Sequence, residues 1–265
     1  MTIFKHYLRR AFTEPIGIAI YIGAPAVMVA LLAIMNQYGG EDGQTAEVLL
    51  SGGRDINIGF NLIMNMIIFQ FMGILLVVDP LFRDLKKDMR WRLLSAPVPP
   101  TKLVFGNMFA HYIFAVASGL LLILVGYFFN SYMFTLWVMV TVLALVALIA
   151  MLIGVIFFYL CKTMALANTL GTVFTWLMVI LQGIMFAIPP EPLYTIGSYH
   201  TPLAWSIRAI VYSSQEATYF IDNNFFTVHS FTGTMSDAMM NLGFLAGFAA
   251  LCAVIVVFLS RRRAV

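Results

Sequence analysis

Charge is what this sequence has least of. Only 10% of its 265 residues are Asp, Glu, Lys or Arg, while 62% are hydrophobic; a soluble domain carries about 25% charged residues. That balance at this length excludes an ordinary soluble domain and points to a membrane protein. Cysteine is nearly absent. Cys161 and Cys252 stand far apart in apolar surroundings, which excludes a disulfide framework or thiolate metal site and leaves buried structural thiols. There is no G-x-x-x-x-G-K-[ST] phosphate loop, no HExxH and no GxSxG, so the chain does not hydrolyse ATP through that machinery and carries no familiar hydrolase constellation. His6, His111, His200 and His229 are scattered over different segments. Apart from His111 near one end, ionisable side chains are missing from the apolar runs, which argues against an autonomous proton- or ion-coupled carrier. The net charge of +3 does not imply nucleic-acid binding.

What is present is a series of apolar runs of membrane length, roughly 20 residues each. Six spans are expected, at about 16–35, 58–78, 103–129, 132–160, 165–188 and 239–259, in one transmembrane domain covering 1–265. The first is longer than the usual leader core of about 7–15 residues and is read as an uncleaved span. Before it, residues 1–14 alternate with helical period. Ile3, Phe4, Tyr7, Leu8, Ala11 and Phe12 fall on one face and Lys5, Arg9 and Arg10 on the other, the pattern of a helix lying in the membrane interface. Between the fifth and sixth runs, Leu203–Tyr212 is apolar but too short to cross; it suits a re-entrant or interfacial element. No internal repeat is visible.

One strongly charged island interrupts these runs, DPLFRDLKKDMRWRLLSAPVPPTK at Asp79–Lys102. Its pattern predicts a short amphipathic helix from about Leu81 to Leu94, stopped by Pro97, Pro99 and Pro100 because proline lacks the donor a helix needs. Either it is a solvated basic loop that fixes topology, or it is a docking element for a cytosolic partner. Lys and Arg asymmetry sets the orientation. With both termini inside, inner segments hold 13 of the 15 basic residues and four acids, a net +9; outer segments sum to −6. The island is then cytosolic.

Two polar stripes run along the spans: Asn57, Asn61 and Asn65 in the second, and Asn168, Thr172, Thr175 and Gln182 in the fifth. They serve either as hydrogen bonds between helices, worth about 0.6–2 kcal/mol each, or as the wall of a substrate path. Phe174, Trp176, Phe186 and the neighbouring methionines would suit an apolar or amphipathic cargo.

Two local motifs, Met89–Ala110 (MRWRLLSAPVPPTKLVFGNMFA) and His200–Ile210 (HTPLAWSIRAI), make the chain resemble the permease subunit of type-two ATP-binding-cassette (ABC) exporters. It departs from the family pattern at Asp88–Trp91 and at His200–Thr201. The resemblance implies an all-α membrane protein with six spans, an N-terminal interfacial helix, a cytosolic coupling helix between spans 2 and 3, and an outer re-entrant element between spans 5 and 6. It implies a half-transporter in the plasma membrane: a second permease chain, identical or related, and two copies of a separate ATPase that carries the ATP and Mg, with no cofactor on this chain. Arg83, Leu85, Lys87, Arg90, Trp91 and Leu94 would then couple to the ATPase, and the two polar stripes would face the path of an exported drug, antimicrobial peptide or lipid-like molecule. Two other readings stay open. One is a membrane-embedded enzyme on a lipid-linked substrate using Glu191, His200 and Arg208; the other is a non-transporting resistance sensor.

Overall fold

A chain in lipid must satisfy its backbone polar groups internally, and among the described residues every regular element of this computed structural model is a helix. The structure describes residues 2–28, 30–31, 56–86, 99–128, 134–181, 191–214 and 233–262. Helix α1 is Thr2–Thr13, and α2 is Pro15–Ile18, which runs into a π-helical turn at Ala19–Gly23. Then come α3 (Ile56–Phe71), α4 (Gly73–Leu85), α5 (Pro100–Phe128), α6 (Leu136–Leu160) and α7 (Met164–Leu181). The chain ends with α8 (Glu191–His200), α9 (Pro202–Tyr212) and α10 (Met235–Arg262).

Among the described residues, five stretches are long and apolar enough to cross a membrane: Leu62–Leu85, Pro100–Phe128, Leu136–Leu160, Met164–Leu181 and Met235–Arg262. They correspond to the second through sixth expected runs. The first is helical over 15–28, and its far end lies outside the described residues.

Helix α6 is the post around which the others stand. It is apolar on all sides, with Val138, Val142, Val146, Ala150 and Phe158 among its fully buried residues, and it touches α3, α4, α5, α7, α9 and α10. Small residues set the closest approaches, as expected where no hydrophobic effect separates helix from lipid. A β-carbon on Gly154 of α6 would lie 2.8 Å from the Ile74 carbonyl oxygen and 3.3 Å from Val77 Cβ.

Two expectations need correction. The island pattern predicts a new helix near Leu81, but Leu81–Leu85 are the last residues of α4, which already runs from Gly73 within the second span. Leu81, Phe82 and Leu85 are buried in the chain's own core, which holds the helix together past Pro80. Asn107 Nδ2 of α5 donates to the Val77 carbonyl (3.3 Å) in the turn before that proline. The apolar face of α1 was to rest on lipid. It packs instead on α5, with Tyr7 and Ala11 buried and Phe12 edge-on to Phe114 at 5.2 Å.

At the opposite end of the bundle from α1, α8 and α9 form a short helical hairpin. Helix α8 packs on α7, while α9 packs on α10, α6 and α3. Thr201 caps α9: its Oγ1 accepts from the Ala204 amide (3.2 Å) and donates to the Gly197 carbonyl (2.7 Å), with Pro202 at the first helical position. At the far end of α9, Thr135 Oγ1 donates to the Ser213 carbonyl (2.8 Å). Thr201→Ala removes both bonds and is expected to cost about 1–2 kcal/mol. Thermal unfolding in detergent checks this; Thr201→Ser should lose well under half as much.

Candidate functional site

The last two turns of the second span hold most of the described charges of the island, and each is tied to a different element. Asp84 is three residues after Leu81, on the buried face of α4. Its carboxylate accepts from Arg10 Nη1 of α1 through both oxygens (3.1 and 3.2 Å), with the Asp84 side chain 10% exposed and that of Arg10 26%. Tyr7 lies one turn earlier on α1. Burial first, and then the Asp84 charge, push the Tyr7 hydroxyl above its ordinary pKa, so it stays protonated. Arg83, on the exposed side, lies 3.6 Å from Glu14 and 3.6 Å from Asp79. Those two contacts are looser and more solvated, and surface pairs of that kind contribute about 0–1 kcal/mol.

Asp79 reaches the fifth span: Asn168 Nδ2 at the start of α7 donates to its Oδ1 (2.7 Å). Lys86 reaches the fourth. Its ammonium donates to the carbonyls of Phe158 (2.7 Å) and Cys161 (2.8 Å) at the end of α6. It also stands over the rings of Phe82 and Phe158, 4.5 and 4.6 Å from their centroids. A cation there satisfies otherwise unpaired terminal carbonyls and meets the negative end of the helix dipole. Residues 79–86 are thus the end of the second span, clamped to α1, α6 and α7.

Of the residues assigned from sequence to ATPase coupling, Arg83 is exposed at this end. Leu85 is 2% exposed and belongs to the internal core, so it is withdrawn from any docking face. Lys87, Arg90, Trp91 and Leu94 lie outside the described residues. In the polar stripes, Asn65 is buried in α3. Asn168 is engaged with Asp79, and Thr175 is buried with its hydroxyl on the Gly171 carbonyl (3.0 Å). Thr172 is half-buried. For Asn168 the helix-to-helix role is the one realised within this chain, whereas the Thr175 hydroxyl bonds back within α7 itself. The side chains of Asn57 and Asn61, and Gln182, lie outside the described residues. Helix α7 turns Leu166, Leu170, Val173, Trp176, Leu177 and Ile180 outward.

The groups of the enzyme reading do not gather into a reactive site among the described residues. Arg208 stacks on the Tyr199 ring at 3.8 Å, His200 is exposed, and the Glu191 side chain is outside them. No cluster of three or more His, Cys, Asp or Glu suited to a metal occurs among the described residues.

Sequence reasoning missed the Arg10–Asp84 pair and the Lys86 cap. The signal for the first was available: Asp84 sits on the apolar stripe of Leu81 and Leu85, where an acid demands a partner. It also passed over Gln70, Asn107 and Ser118, buried polar residues in the spans. Gln70 Nε2 and Ser118 Oγ both donate to the Ala115 carbonyl (2.8 Å each).

The family model described as ABC-2 type transporter matches residues 2–214, the region that contains every clamp just described. Among curated proteins nothing matches the chain.

Proposed function

The chain belongs to the ABC-2 type transporter family, as the transmembrane permease component that partners an ABC ATPase subunit, and from that premise we propose that it is the permease half of an ATP-driven exporter. Its cargo is hydrophobic or amphipathic: a drug, an antimicrobial peptide or a lipid-like molecule. In this reading the chain crosses the plasma membrane six times with both termini in the cytoplasm, as the Lys and Arg asymmetry supports. Two such permeases, identical chains in the simplest case, stand on two ATPase subunits that hold the ATP and Mg. The outward apolar face of α7 is available to the second copy, and Asn57, Asn61, Thr172 and Gln182 are the stripe members left to line a cargo path.

The observation that carries the proposal is the clamped end of the second span. Coupling needs a piece of chain that a soluble motor can push and that moves several spans together. Residues 79–86 are continuous with the second span on one side and with the basic segment 87–98 on the other. Through Asp84, Asp79 and Lys86 they hold α1, α7 and α6. Arg83, Lys87, Arg90, Trp91 and Leu94 are the proposed contacts with the ATPase, because buried Trp and Arg dominate interface energetics.

The test replaces Arg90 and Trp91 with Ala and measures ATPase activity of the purified complex in lipid vesicles, with and without cargo. Loss of two anchors at about 2 kcal/mol or more each is expected to weaken association by well over tenfold and to abolish cargo stimulation. Unchanged assembly and stimulation would remove the coupling role. Accumulation of cargo inside inverted vesicles separates an exporter from a sensor that uses the same ATPase.

A further inference from the structure

The second span is not one helix but two. Helix α3 stops at Phe71 and α4 starts at Gly73. The Leu75 amide donates to the Met72 carbonyl three residues back (3.0 Å), so the Phe71 carbonyl does not receive the bond a continuous α-helix would give it. The two halves are anchored separately. Above the break, Gln70 holds α3 to the Ala115 carbonyl of α5; below it, the Arg10, Asn168 and Lys86 contacts hold α4.

The first span is irregular at the matching height. Its π-helical turn Ala19–Gly23 carries Tyr21, which is 2% exposed and packs edge-on to Phe114 at 6.1 Å. The Tyr21 hydroxyl points at the break: a β-carbon on Gly73 would lie 3.4 Å from it. That hydroxyl is buried and makes no hydrogen bond. An unpaired buried hydroxyl is unfavourable, and π-turns gather at functional positions. The group is unpaired in this conformation and stands beside a turn whose backbone bonding is already broken.

We propose that the second span bends at Met72–Gly73 and that Tyr21 is the positioning residue of this hinge, its hydroxyl donating to a backbone carbonyl of the opened turn in the bent state. Proline- and glycine-broken spans satisfy freed carbonyls in this way, through neighbouring side chains. The hinge extends the proposed transmission through α4, since it sets how far a push on residues 79–86 travels along the span. It does not depend on which molecule is carried.

The test uses the full chain in lipid nanodiscs, labelled with [15N]glycine, and reads microsecond-to-millisecond relaxation dispersion, the time range of hinge motion. Gly73 is expected to show dispersion. Gly243 and Gly247 on α10, with nothing within 4 Å of a β-carbon at either position, are the internal references away from the hinge and should be flat. Tyr21→Phe keeps the ring against Phe114 and removes only the donor. It should reduce the Gly73 dispersion several-fold by depopulating the bent state, whereas a tyrosine that merely fills space would leave it unchanged. A flat Gly73 in the natural chain, or dispersion that is unchanged or larger in Tyr21→Phe, overturns the proposal. Because the readout needs neither ATPase nor cargo, that result would remove the hinge and leave the exporter reading to its own test.

Discussion

Gly154→Leu is expected to prevent the chain from reaching its folded state in the membrane. Gly154 is on the central helix α6, and its β-position meets the Ile74 carbonyl oxygen at 2.8 Å and Ile74 Cα at 3.4 Å. Those are backbone atoms of α4 and cannot rotate aside as a side-chain end can. Overpacking of a well-filled core costs about 1–3 kcal/mol when side chains absorb it. Here two helices must separate along their length, and the expected loss is at the upper end of that range or beyond, out of a total of roughly 5–15 kcal/mol. Size-exclusion recovery and thermal unfolding of the detergent-extracted protein measure it. Gly243 and Gly247 on α10 supply the control, because nothing lies within 4 Å of a β-carbon at either position. Leucine there should change stability by no more than about 0.5 kcal/mol. A loss at Gly243 equal to that at Gly154 would mean that glycine as such, not this close approach, is what the span requires.

Breaking the Arg10–Asp84 pair is expected to act unequally from its two sides. Arg10→Ala leaves the Asp84 carboxylate, 10% exposed, without its cation; Asp84→Ala leaves a guanidinium that is 26% exposed and can reach water. Removing one partner of a fully buried pair costs about 3–5 kcal/mol, and partial exposure of Arg10 lowers that. Arg10→Ala should therefore cost about 2–3 kcal/mol and Asp84→Ala distinctly less. The double substitution should recover part of the larger loss, since no charge is then stranded. Denaturant unfolding of all four proteins closes the cycle. In the assembled transporter the same single variants should bind ATPase normally yet transmit poorly, because the N-terminal helix no longer moves with the second span. Additive losses in the cycle would show that the pair is not a coupled unit.

The helical, multi-span character was legible because it rests on composition. A run of apolar residues of sufficient length has few alternatives, and five of the expected runs appear among the described residues as helices long and apolar enough to cross. The end of the second span was not legible. Pro80 and the charges at Asp79, Arg83 and Asp84 read as a boundary, yet Leu81, Phe82 and Leu85 are buried and each charge has a partner outside α4. Local pattern carries no information about a partner 74 residues away, as with Arg10 and Asp84. The same blindness made α1 look like a lipid-facing anchor: an apolar stripe is identical whether it meets acyl chains or another helix. The polar stripe of α7 was visible, but which members turn toward α4 depends on packing.

The central position of α6 has a consequence for how the protein is made. Spans leave the ribosome in order, and the helix that every later and earlier neighbour leans on is the fourth of those expected. The second and third therefore enter the bilayer without a surface they are shaped to fit, and must be held apart from wrong partners until Leu136–Leu160 arrives. The burden on insertion and quality control falls on that waiting interval rather than on any individual segment's ability to enter lipid.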